Sequence, residues 1–172
     1  MDIYADATTL IALGQVGEVE LLTAFDGDLS VPEVVSNEVS TEPAESNLRL
    51  WDERFVRPAH RAHIDRTQDV LDETEETGDV WLIAAVLAHR AADEDVAVVS
   101  DDRRVRTVAR GLGATVTRTI GVVVRNVADG ELTADEATEL VRRLDSHGLH
   151  MTGELREKAD ELIDEATEET DE

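Results

Sequence analysis

Cysteine is absent from the 172 residues, lysine occurs once, at Lys158, and aromatic residues make up only 3% of the chain. Without thiols the chain forms no disulfide and no thiolate-bound zinc site, and a reducing compartment suits it. With so few aromatic rings, recognition of single-stranded bases by stacking has little to work with. The longest unbroken apolar run, residues 80–88, is far shorter than the roughly 20 residues of a membrane-spanning helix. The amino terminus begins acidic rather than with the basic stretch of an export signal. The expectation is a soluble, cytoplasmic protein with no membrane partner, of a length that suits one domain with an appended tail.

Charge of one sign dominates what is present. Asp and Glu number 40 against 16 Lys and Arg, for a net charge of -24. Phosphate binding rests on basic side chains, so this total argues at first against a nucleic-acid partner. The acids are spread over most segments, however, which fits a global adaptation of surface charge better than a single acidic face. A salt-rich cytoplasm, as in a halophile, accounts for such a coat, because high net charge keeps a protein soluble while ions screen its self-repulsion. The distribution is also uneven. Residues 96–125 hold six arginines, at 103, 104, 106, 110, 118 and 125, against two acids, Asp101 and Asp102. Residues 129–172 hold 16 acids against four bases. The basic island thus surrounds an acid pair, with a solvated helix face as the ordinary alternative.

The apolar period alternates along the chain. Residues 2–5 read as a short strand and 7–14 as a helix that Gly14 ends. Val16, Val19, Leu21, Leu22 and Phe25 form a helical face, followed by a turn at 26–28 and a brief strand at 29–31. Pro32 suits the first turn of a helix reaching about residue 40. Residues 41–65, with Trp51 and Phe55, show no clear repeat and are assigned loosely to a helix and a short strand. Residues 78–92 read as a buried helix, 96–99 as a strand covered on both sides, 103–112 as a helix closed by Gly113, and 115–117 as a strand. Residues 133–144 and 153–165 form a helical hairpin with Thr133 and Thr152 as caps. The predicted organisation is a domain over 1–128, a hairpin extension over 129–167 and a disordered acidic tail over 168–172.

Alternating strands and helices with apolar strands predict a three-layer α/β fold around a mostly parallel sheet. Ligands of such sheets bind past the carboxyl ends of the strands. Asp6 directly follows the first strand, and Asp101 and Asp102 directly follow the 96–99 strand. Both groups are therefore expected on the same edge.

Four segments, in order, carry a resemblance. Asp6-Ala7-Thr8-Thr9-Leu10-Ile11-Ala12-Leu13 ends a strand on an aspartate with a hydroxyl two positions later. Pro32-Glu33-Val34-Val35-Ser36-Asn37-Glu38-Val39 opens a helix on proline and delivers a glutamate. Gly78-Asp79 precedes Ile83-Ala84-Ala85, and Val98-Val99-Ser100-Asp101-Asp102-Arg103 follows. In order and interval these resemble the motifs of the PIN-domain family, over residues 2–125. Residues 130–155 are similar to the two-helix extension of one prokaryotic subgroup. Two departures stand out: Asp79 occupies a position where that subgroup more often has glutamate, and the Asp101-Asp102 pair leaves open which member is primary.

The resemblance implies a nuclease that uses Mg2+ or Mn2+. In that reading Asp6 and Asp101 bind the central ion, Asp79 and Asp102 complete an outer shell, and Glu38 orients the attacking water or acts as a ligand. Thr8 and Ser100 then hydrogen-bond to the carboxylates. The chemistry explains why such acids converge. Two unit charges about 4 Å apart repel by roughly 4 kcal/mol at an effective dielectric near 20, so clustered carboxyls hold protons unless a cation sits among them. Hard divalent ions prefer oxygen ligands, and in pairs they activate water and steady the leaving oxygen of a phosphodiester. Taken singly, each acid has an ordinary explanation as a helix cap or a solvated charge.

Arg103, Arg104 and Arg106 begin the helix beside the acid pair and are candidates for contacting RNA phosphates. His60 and His63 have ligand-like spacing but read as a surface pair, and Trp51 and Trp81 read as core. A haloacid-dehalogenase phosphatase would need an aspartate where Thr8 stands. A response-regulator receiver would need a lysine late in the domain, where none occurs. The competing reading from another class is a PIN scaffold that binds RNA or a protein without cutting. Within the nuclease class, the resemblance implies RNA as substrate, a homodimer, and a toxin role with a cognate antitoxin as partner.

Overall fold

The computed structural model describes residues 1–25, 27–51 and 61–170. Its strands are β1 (Asp2–Ala5), β2 (Asp28–Ser30), β3 (Val96–Val99) and β4 (Thr115–Thr117). They pair in parallel, in the order β2-β1-β3-β4. Parallel neighbours require crossovers, which helices supply. The helices are α1 (Ala7–Val16), α2 (Glu33–Glu38), α3 (Ala44–Arg49), α4 (Ile64–Leu71), α5 (Gly78–Ala92), α6 (Arg103–Gly111), α7 (Thr119–Ala128), α8 (Ala134–Ser146) and α9 (Gly153–Thr170). Every residue of β3 is buried, as are Ile3, Tyr4 and Ala5 of β1. Helices therefore cover both faces, and the fold is the expected three-layer α/β arrangement.

The chain leaves β1 for β2 on one side and returns to place β3 on the other. The carboxyl ends of β1 and β3 thus flank a topological switch point, the crevice where open α/β sheets bind ligands. The register pairs Ala5 with Val99, and the Asp6 N–H donates to the Val99 carbonyl at 3.0 Å. Asp6 and the turn after β3 are held side by side by this pairing.

Several expected boundaries move. Helix α1 continues past Gly14 to Val16 and stops at Gly17, whose φ of 78° is the left-handed conformation that glycine adopts without a Cβ penalty. Gly14 instead permits a close approach: a Cβ there would stand 2.9 Å from the Ala44 Cα of α3. Gly14→Ala is accordingly expected to destabilise the protein by about 1–3 kcal/mol, because overpacking against backbone outweighs the better helix propensity of alanine. The midpoint of chemical denaturation measures it.

The helical face expected over 16–25 is a 3₁₀ segment, Val19–Ala24. The short strand expected within 41–65 is not found among the described residues of that stretch, which form α3, a 3₁₀ turn (Arg61–His63) and the start of α4. Phe55 and His60 lie outside the described residues. Helix α7 has no counterpart among the elements expected from the sequence. Its Val122, Val123 and Val124 favour strands by side-chain stiffness, yet the buried pairs 119/120, 122/123 and 126/127 recur at the helical period. Helix α9 reaches Thr170, running on through residues read as a disordered tail.

The α8–α9 hairpin is capped as expected, by a Thr133–Glu136 capping box and by Thr152, whose hydroxyl accepts from the Leu155 N–H. Leu140, Leu144, Ala159 and Ile163 join one core cluster with the sheet, and Arg143 ties α8 to Glu18 and the Val16 carbonyl. No helix among the described residues is long and apolar enough to cross a membrane.

Candidate functional site

Asp6 sits at the amino terminus of α1, only 4% exposed. Its Oδ1 accepts the Thr9 N–H at 2.7 Å, so the side chain caps the helix as well as ending the strand. Burial raises its pKa, and the nearby Asp101 adds to the rise, against hydrogen bonds from Ser100 and Thr9 that favour the charged form.

Ser100 and the aspartate pair form the turn after β3. The fully buried Ser100 hydroxyl accepts the Asp102 N–H at 3.1 Å while bonding to Asp6. The two aspartates then separate in role. Asp101 is half-buried and accepts the Thr119 hydroxyl, whose oxygen also lies 3.3 Å from that of Thr9. Asp102 is exposed and caps α6, accepting the Val105 N–H at 2.9 Å. Electrostatically, Asp101 acts on Asp6 and Asp102 acts on Asp79.

Asp79 lies in the first turn of α5. Its pKa is pushed up to about 6, first by burial and then by Asp102, Asp6 and Glu38, with Arg104 opposing them. Glu38 reaches the same helix from the end of α2, and its Oε1 accepts the Gly78 N–H at 2.8 Å. A carboxylate at a helix amino terminus is favoured by the helix dipole, so Glu38 also fixes the helix that carries Asp79. A Cβ at Gly78 would stand 2.9 and 3.0 Å from the two Glu38 oxygens. Gly78→Ala should therefore displace Glu38, lose about 1 kcal/mol of stability with the hydrogen bond, and shift any cation affinity of the site. Thermal denaturation with and without Mg2+ measures both.

The remaining expected residues are placed less uniformly. Thr8 is exposed, whereas Thr9 and Thr119 are buried against the carboxylates. Neither of these was singled out from sequence. Thr9 adjoins the expected Thr8, and Thr119 opens α7. Arg103 is exposed. Arg104 bonds to Glu73 at 2.6 Å and stands 3.8 Å from Asp79. Arg106 is 6% exposed and donates to the Ser100 carbonyl at 3.0 Å, so it braces the turn that carries Asp101. Trp51 and Trp81 pack against the core, and His63 lies in the turn before α4.

As the side chains stand, no three His, Cys, Asp or Glu side chains among the described residues are grouped to hold one ion. The donor chemistry nevertheless fits a hard divalent cation. Every candidate ligand is a carboxylate oxygen, and mutual repulsion together with burial raises the pKa of both Asp6 and Asp79. A bound cation would relieve that condition.

A parallel sheet with carboxylates near its switch point makes this an α/β domain with an acidic edge. The chain belongs to the PIN-domain family, whose profile matches residues 2–165. Members of that family are typically nucleases. No curated protein and no solved structure matches the chain.

Proposed function

We propose that this protein is a ribonuclease that hydrolyses RNA phosphodiester bonds with Mg2+ or Mn2+ held by Asp6, Asp79, Asp101 and Asp102. The observation that carries the reading is the pairing of Asp6 with Asp101 across the switch point, where the β1–β3 register and the Ser100 turn bring them together. A divalent ion bound there supplies a polarised water and stabilises developing charge on the phosphate and leaving oxygens. The chain's own residues prepare the site. Thr119 and Thr9 fix the carboxylate of Asp101 and the start of α1, Ser100 spans Asp6 and Asp102, and Glu38 holds the amino terminus of α5 so that Asp79 faces the other acids. Thr8 and Arg103, exposed at this edge, are free to contact substrate phosphates.

In a toxin–antitoxin pair, the cognate partner would have to cover this cluster. A basic side chain placed among Asp6, Asp79 and Asp101 is the chemistry that fits. Incubation with varied single-stranded RNAs and Mn2+ in concentrated KCl should yield fragments that disappear on chelation. Binding without fragments across those RNAs would favour the non-catalytic scaffold instead.

A further inference from the structure

A cavity of about 560 Å³ opens between α6, β4, α7 and α9. Among the described residues five cations line it, Arg103, Arg106, Arg110, Arg118 and Lys158, and no carboxylate does. That composition is unexpected in a chain with 40 acids, the more so because α9, among its most acidic helices, turns Leu155, Lys158, Ala159 and Leu162 toward the cavity. These positions recur at the helical period and include the only lysine of the chain.

Several cations outside the pocket are matched. Arg104, Arg125, Arg143 and Arg156 each pair with an acid. Arg103, Arg110 and Arg118 form no ion pair among the described residues, and Lys158 reaches Glu161 from an exposed position on the rim. Arg106 is buried in the wall, where burial first and then Arg118 lower its pKa, with Arg110 adding to the fall and Asp101 and Asp102 opposing it. Like charges gathered in one pocket, three of them with no ion pair among the described residues, favour an anionic guest. Apolar side chains line the pocket as well, Ile120 and Leu162 among them.

The pocket adjoins the acidic site through two turns. Arg106 donates to the carbonyl of Ser100, which precedes Asp101, and Arg118 precedes Thr119, which donates to Asp101.

We propose that this pocket binds a nucleotide of a single-stranded RNA next to the bond held at Asp6 and Asp101, with its phosphate on Arg110, Arg118 and Lys158 and its base on Ile120 and Leu162. The assignment rests on the nuclease reading for the identity of the strand. Continuity with the carboxylate cluster favours RNA over an acidic peptide.

The test uses the full chain carrying Asp6→Asn, with Mg2+, and a short fluorescein-labelled oligouridylate followed by anisotropy across a KCl series. Arg110→Gln with Arg118→Gln, both exposed positions, should weaken binding about tenfold and flatten the slope of log affinity against log salt by roughly 0.7 per cation removed. Lys158→Gln alone gives the same readout at one-cation scale should the double variant not fold. Arg66→Gln with Arg90→Gln, the same charge change outside the pocket, should alter neither quantity. Unchanged affinity and slope in the pocket variants overturn the proposal, as does tighter binding of a polyglutamate peptide than of the RNA. RNA cleavage by the unsubstituted chain is scored separately. Pocket-dependent binding without cleavage keeps the pocket and removes the nuclease reading, and cleavage with pocket-independent binding does the reverse.

Discussion

Asp6→Asn is expected to lower RNA cleavage about a thousandfold, the scale of losing a preorganised charge-stabilising group, while raising the melting temperature of the cation-free protein. The two effects have one cause. Asp6 is 4% exposed and its pKa is raised by burial and by Asp101, so at neutral pH its charge is a destabilising feature that a bound cation would offset. Asparagine keeps the cap on the Thr9 N–H, because it is as good an amino-terminal capping residue as aspartate. A residue whose removal abolishes activity yet stabilises the fold is serving function. Cleavage assays and thermal denaturation in EDTA, on the same two preparations, measure both halves. A variant that loses stability along with activity would point to a structural role for the carboxylate.

The second large effect is a dependence of stability on pH and cations that Asp79 sets. Burial and the neighbouring acids push the pKa of Asp79 up to about 6 in the folded chain, from the 3.8 of an ordinary aspartate. Because the folded pKa is the higher one, the native state binds more protons between about pH 4 and 6. Stability contributed by this group therefore falls as pH rises through that window. Its side chain is 34% exposed, and solvent screening reduces the effect to on the order of 1 kcal/mol. For a chain of this size that is a shift of roughly 2–4 °C. Melting in EDTA should accordingly occur at lower temperature at pH 7 than at pH 5. Mg2+ should restore the difference at pH 7, where the carboxylates are charged and able to bind it. The general acidic coat contributes in the same direction, so Asp79→Asn isolates the site: the variant should show a shallower pH dependence and a smaller response to Mg2+. An unchanged pH slope in that variant would contradict the assignment.

The parts of the fold legible in the sequence are those where one pattern decides the element. The continuous apolar run 96–99 could only be a covered strand, and Asp101 and Asp102 come straight after it. The buried helix Gly78–Ala92 and the β4 strand fell within their predicted limits for the same reason. Long-range packing hid the rest. Gly14 reads as a stop signal, but α3 comes so close to α1 that only glycine fits there, and the true stop is Gly17. The three valines of α7 favour strand by local propensity, and packing against the core overrides that preference.

Among the candidate acids, Asp6, Asp79, Asp101 and Asp102 stand out in the sequence because each adjoins a strand end or a helix start, whereas Glu38 ends α2. Thr119 was invisible because it approaches Asp101 from a turn far along the chain. The arginine island was visible as composition, yet its members divide only in three dimensions. Arg104 pairs with Glu73, Arg106 is buried beneath Ser100, and Arg110 and Arg118 join Lys158 of α9 around one cavity. Charge counted along the chain therefore located the basic region without showing which side chains remain available to a substrate.

The most direct test of the central claim is the rate of single-stranded RNA cleavage by EDTA-stripped protein titrated with Mn2+ in concentrated KCl, run beside Asp101→Asn. The carboxylate cluster predicts no cleavage without the cation, a saturable rise with Mn2+, and near-complete loss in the variant. Cleavage that persists in the chelated protein, or that Asp101→Asn leaves intact, would contradict it.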